Sequence, residues 1–146
     1  MDCIAVGAVQ APAPLRVLLV EDEPAILEGM AEALLLAEVP HLQAPNAEVA
    51  LALIARHPEI GVVVSDVHMP GMDGIGLVRE ARRARAAGAD TLLAVLISAH
   101  YDWGRIADRH REGIVGVLTK PFAIAELLAA VEGALAEAAA RRTQGR

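Results

Sequence analysis

Short apolar runs separated by segments of helical periodicity predict a doubly wound α/β fold, a parallel sheet covered by helices on both faces. Three observations carry this. The runs LRVLLV, IGVVVS and LLAVLI are nearly continuous, as strands buried on both faces require. Apolar residues between them recur at helical spacing. Strand and helix then alternate along the chain, the pattern of right-handed crossovers in a parallel sheet.

The elements follow in order. Residues 1–14 read as a flexible leader without the basic start and apolar block of a secretion signal. The first strand is 15–20. A helix follows from Pro24, favourable in a first turn, with Ile26, Leu27, Met30, Ala33, Leu34 and Ala37 on its inner face. A weaker strand covers 41–44, and Asn46 is placed to cap a helix carrying Val49, Ala50, Leu53 and Ile54 inward. The strand 60–65 is rich in β-branched residues and runs directly into Asp66. The turn MPGMDG opens a helix over 74–87 with Leu77, Val78 and Ala81 inward, and a strand covers 92–97. A polar helix over 102–112, a strand over 114–118 and a helix over 123–140 complete the domain. The last helix carries Ile124, Leu127, Leu128, Val131 and Leu135 as its stripe, and 141–146 read as a frayed tail.

Composition removes several function classes. A chain of 146 residues suits one domain, and a formal charge of −6 gives no general attraction for nucleic acid or an anionic membrane. Cys3 is the sole cysteine, so an internal disulfide and a multi-cysteine metal site are both excluded. The apolar runs are too short to span a bilayer, and the expected location is cytoplasmic. Arg79, Arg82, Arg83 and Arg85 read as a solvated helix face. His41, His57 and His110 are spread too widely along the chain to suggest a metal site.

In an open parallel sheet, ligands bind beyond the carboxyl ends of the strands. Glu21 and Asp22 follow the first strand, Asp66 the third, Ser98 the fourth and Lys120 the fifth. Three carboxylates on one rim repel each other, which raises some pKa values or demands a cation, and oxygen ligands of this kind suit Mg²⁺. Asp66 then serves as a nucleophile toward a phosphoryl donor, with Lys120 neutralising charge and the Ser98 hydroxyl donating to a phosphoryl oxygen. Taken alone, the acids read equally well as a solvated helix start, and Asp66 could cap the following turn, though its place after a buried strand argues otherwise; the four strand ends together carry the assignment.

At these residues the sequence resembles the receiver domain of bacterial response regulators, from about Arg16 to Ala140. VLLVEDEP is similar to the family's acidic motif and VVVSDVHMPGMDG to its phosphoacceptor motif. LISAH is similar to the hydroxyl-bearing strand and LTKPF to the lysine–proline motif. The resemblance implies a flavodoxin-like sheet of order 2-1-3-4-5. It implies Asp66 as phosphoacceptor and Ser98 and Lys120 at the phosphoryl group. Glu21, Asp22, Asp66 and the His68 backbone carbonyl would bind Mg²⁺, and the Lys120–Pro121 bond would be cis. It also implies a histidine kinase or histidine phosphotransferase as donor, and catalysis limited to the chain's own phosphorylation and dephosphorylation. The chain reads as a single-domain regulator, with 15–140 as the receiver, signalling through phosphorylation-dependent binding of another protein.

Three positions depart from the family pattern. Val117 stands where a switching aromatic is usual, and His68 and His100 occupy the positions that tune dephosphorylation. Imidazoles there would make phosphoryl lifetime depend on pH near neutrality; exposed loop residues are the plainer reading of both. Tyr101 and Trp103 read as packing onto the domain. Two rival readings stand beside this one. An aspartate-nucleophile phosphatase on a similar fold would carry a second Asp where His68 lies, and a degenerate receiver would act only as an interaction module.

Overall fold

The strand β3 (Ile60–Asp66) is buried along all seven of its residues. Burial on both faces demands strands on either side and helices above and below. The computed structural model describes residues 14–85, 92–99 and 113–144. In it, β1 (Arg16–Val20) lies along one side of β3 and β4 (Leu93–Ser98) along the other. With β2 (His41–Ala44) and β5 (Ile114–Thr119) outermost, the sheet is parallel throughout, in the order β2-β1-β3-β4-β5. The expected order is therefore present, and the strand sequence reverses between β1 and β3.

Alternation along each strand sends side chains to two separate cores. Val17, Leu19, Val62, Val64, Val95 and Ile97 meet α1 (Pro24–Leu36) and α4 (Ile124–Gln144) on one face. On the other face, Leu18, Val20, Val63, Ala94 and Leu96 meet α2 (Ala47–Arg56) and α3 (Gly74–Arg85). Pro24 begins α1, and the Asn46 side chain accepts from the Val49 amide at 2.8 Å to cap α2. Asp73 does the same for α3, accepting from Gly76 at 2.8 Å.

Some expectations shift. Ala37 closes α1 as an exposed residue, and Val49 and Ile124 lie on solvent faces. Ala47, Ala134 and Ala138 are buried in their place. Small side chains let α2 and α4 lie close on the sheet, and hydropathy counting undervalues them. The helix α4 continues four residues beyond the end expected at 140, reaching Gln144. Arg141 pairs with Glu137 one turn back, N–O distance 3.0 Å, and the Thr143 hydroxyl donates to the Ala139 carbonyl. Four helices fall among the described residues. Leader residues 1–13, the predicted helix over 102–112, His100, Tyr101, Trp103 and His110 lie outside them. No helix among the described residues is long and apolar enough to cross a membrane.

Candidate functional site

The register of the parallel strands brings the polar strand ends together. Val20 pairs with Ser65, Asp66 with Ile97, and Ser98 with Thr119. Glu21, Asp66, Ser98 and Lys120 therefore stand along one carboxyl rim, with Glu21 and Asp66 on either side of the reversal in strand order. Glu21, Asp66 and Ser98 are all buried, at 2%, 4% and 0% exposure. These values exclude the reading of Glu21 as a solvated helix start.

Asp66 is held from two directions. The Lys120 ammonium lies 2.6 Å from Oδ2, and the His68 amide donates to Oδ1 at 3.1 Å. Burial alone would lower the Lys120 pKa, but the hydrogen bond and charge of Asp66, with Glu21 and Glu23 adding, raise it above the ordinary range. Lys120 is therefore a cation at any physiological pH. The Lys120–Pro121 bond is cis.

Two buried oxygens on this rim lack partners among the described residues: Glu21 Oε1 and Ser98 Oγ. The other Glu21 oxygen accepts from the Glu23 amide at 3.2 Å. Burial, with the Asp66 charge and the neighbouring Asp22 carboxyl adding, pushes the Glu21 carboxyl up to about 7 against the pull of the Glu23 amide and Lys120. A carboxylate so placed is relieved by a cation. Asp22 lies next to it at the surface. Among the described residues no three His, Cys, Asp or Glu side chains enclose a metal by themselves. An ion held here would draw on few carboxylates, backbone oxygen and water, and that donor set fits Mg²⁺. An open cavity of about 500 Å³ lies beside the rim, bounded by Glu21, Ile26, Ile97, Lys120, Pro121 and Phe122.

Of the other sequence-predicted residues, Asp22 and His68 are exposed next to the rim, and Val117 packs partly buried against the cluster of Val67, Ile75, Val78 and Leu96. His100 lies outside the described residues. Sequence reasoning passed over Ser65 and Gly74. Ser65 is fully buried and donates to the Asp66 carbonyl at 2.9 Å. A Cβ on Gly74 would overlap that same carbonyl oxygen. The signal for Ser65 was present: it is a polar residue inside an otherwise apolar strand.

The family model for the response regulator receiver domain matches residues 17–132. The response regulator protein FleR of Pseudomonas aeruginosa is 36% identical over 116 residues, covering 77% of this chain and 23% of that protein. The chain spans less than half the length of the curated relatives it matches. Among solved structures, one described as adenylate cyclase from Rhodopirellula baltica superposes with a TM-score of 0.81 at 21% identity, a likeness of fold alone. It covers 90% of this chain and 94% of that one. The signal receiver domain of an HD domain-containing protein from Pseudomonas fluorescens Pf-5 gives 0.75 at 29% identity, covering 87% and 98%.

Proposed function

This chain belongs to the response regulator receiver domain family of two-component systems, and from that membership we propose that Asp66 is its phosphoacceptor. The observation that carries the assignment is the pair of buried oxygens without a partner among the described residues, Ser98 Oγ and Glu21 Oε1, on the rim where Lys120 holds the Asp66 carboxylate. Unsatisfied buried polar atoms are uncommon, and a phosphoryl oxygen at Ser98 and a cation at Glu21 would supply the missing partners.

In the proposed reaction an Asp66 oxygen attacks the phosphorus of a phosphohistidine on a histidine kinase or phosphotransferase. The phosphorus–nitrogen bond breaks, its electrons leave with the imidazole, and an acyl phosphate remains on Asp66. Lys120 moves from the carboxylate to the incoming phosphoryl oxygens and neutralises their charge, and Ser98 donates a hydrogen bond to one of them. Glu21, Asp22, Asp66 and the His68 carbonyl are the residues that would hold Mg²⁺. When bound, that ion offsets phosphoryl charge and accepts phosphate oxygens as ligands. Water later cleaves the acyl phosphate, so the chain catalyses only its own modification and recovery. The signal leaves through a protein that binds the two states differently. With Val117 at the usual switch position, no ring is available there to report the state.

Intact mass after incubation with acetyl phosphate and Mg²⁺ tests the assignment. One added phosphoryl group on the wild type and none on Asp66→Asn is expected; equal labelling of both proteins, or none on either, removes it. Steady turnover of a generic phosphatase substrate would instead favour the phosphatase reading. For the tuning role of His68, phosphoryl loss is compared at several pH values in wild type and His68→Ala. Matching pH profiles eliminate that role.

A further inference from the structure

Ser65 is a polar residue that the strand pattern does not call for. β3 needs apolar side chains on both faces, yet a hydroxyl sits fully buried one residue before Asp66. Burying it is unfavourable unless it bonds. Its bond goes to the Asp66 carbonyl, at 2.9 Å, with the Met69 sulfur 3.9 Å away.

That carbonyl is also closed in from the other side. A Cβ on Gly74 would overlap the Asp66 carbonyl oxygen and lie 3.1 Å from Ser65 Oγ. The next carbonyl, of Val67, accepts from the Gly74 amide at 2.9 Å, and the Val67 amide donates to the Ile97 carbonyl at 2.8 Å. One residue further, the His68 amide turns back onto Asp66 Oδ1 at 3.1 Å. The peptides from Asp66 to His68 are thus held by consecutive hydrogen bonds, and Ser65 supplies the first of them.

We infer that Ser65 is a positioning residue: its hydroxyl fixes the Asp66 peptide and thereby the orientation of residues 66–68 toward magnesium and the phosphoryl group. The inference rests on the phosphoacceptor role proposed for Asp66. Without the donor, the buried Asp66 carbonyl loses its hydrogen bond, and the peptide must tilt to recover one. The tilt is passed to the His68 amide, the contact that aims the Asp66 carboxylate. A methyl group of the same size fills the space without holding the carbonyl.

Ser65→Thr and Ser65→Val form the test, because the two side chains share a shape and differ in the hydroxyl. Three quantities are read: hydrogen exchange of the His68 amide without metal, the Mg²⁺ Kd by calorimetry, and the rate of phosphoryl uptake from acetyl phosphate at saturating Mg²⁺. Ser65→Thr is expected within about 2-fold of wild type. Ser65→Val is expected to exchange the His68 amide about 10-fold faster and to bind Mg²⁺ about 3- to 10-fold more weakly, the range a single lost hydrogen bond allows. Ser65→Ala removes the donor without crowding and should follow Ser65→Val, so a strained Thr or Val variant leaves the answer intact. A wild type that binds Mg²⁺ and accepts phosphoryl while Ser65→Ala matches it in all three quantities overturns this inference alone. A wild type that does neither overturns the phosphoacceptor reading with it.

Discussion

The two ends of the sheet are built on opposite principles. At the carboxyl rim, Glu21 and Ser98 each bury an oxygen without a partner among the described residues, and the Glu21 carboxyl is pushed up to about 7 by burial. At the amino rim the polar groups are matched. Arg85 donates to the Ile60 carbonyl at 2.7 Å and the His57 carbonyl at 3.1 Å, and Arg82 donates to the Leu92 carbonyl at 2.6 Å. Glu59 lies 3.2 Å from His57 and 3.7 Å from Arg16. Gly113, at φ +85°, enters β5 where a Cβ would collide with the Arg82 guanidinium. Arg82 and Arg85 therefore anchor α3 to the strand starts, and the solvated face expected of the basic run holds only for exposed Arg79 and Arg83. A chemical site tolerates polar groups that wait for a ligand, whereas a structural end satisfies its own.

The largest effect should come from Lys120→Ala. Removing the cation from Asp66 is expected to slow phosphoryl uptake by about 100-fold, the scale of a lost charge-stabilising donor. Metal-free stability should change little, because the Lys120 side chain is 42% exposed and solvent screens the pair. Stopped-flow phosphorylation and urea melts measure the two quantities. A large stability loss with unchanged uptake would place Lys120 among the structural groups.

At the other rim, Arg85→Ala should do the reverse. Two hydrogen bonds to backbone carbonyls are lost, for a destabilisation on the order of 2 kcal/mol, with phosphoryl uptake preserved. Burial holds the Arg85 pKa below its usual value, so part of the gain from those bonds offsets desolvation. Urea melts and the phosphorylation assay on one preparation decide it. Uptake slowed as far as in Lys120→Ala would erase the division between the rims.

Glu21→Gln tests the strain directly. The folded carboxyl titrates near 7 against an ordinary value of 4.5, so its ionisation opposes folding. Below about pH 4.5 wild type and variant should be nearly equally stable. As pH rises from there through 7, the metal-free wild type loses stability relative to the variant, by about 1–3 kcal/mol at pH 8. The variant should at the same time bind Mg²⁺ more weakly, since a carboxylate ligand is gone. Melts at pH 5 and pH 8 that show the same difference between the two proteins would contradict a strained Glu21.

The smallest effect belongs to neither rim. Gly29 lies on the exposed face of α1, and nothing stands within 4 Å of a Cβ placed there. Gly29→Ala should stabilise the chain by about 0.5–1 kcal/mol through helix propensity, leaving phosphoryl uptake unchanged. Thermal melts detect a shift of that size.

Periodicity made the alternation of strands and helices readable from the sequence alone, because buried strands and amphipathic helices leave different spacings of Leu, Val and Ile. The strand-end acids, Ser98 and Lys120 were equally legible, since a parallel sheet carries the residue after every strand to one edge. Spacing could not say which of those groups would be buried, paired or left waiting. That Lys120 reaches Asp66, that Glu21 and Ser98 each bury an oxygen with no partner among the described residues, and that Ser65 and Gly74 close on one carbonyl depends on residues far apart in the chain. The same holds for Arg85, read as surface and found bonded to carbonyls 25 and 28 positions earlier. Local pattern sets which elements form and which way they face; burial and hydrogen-bond partners are properties of the assembled sheet, and so only the tertiary structure could decide them.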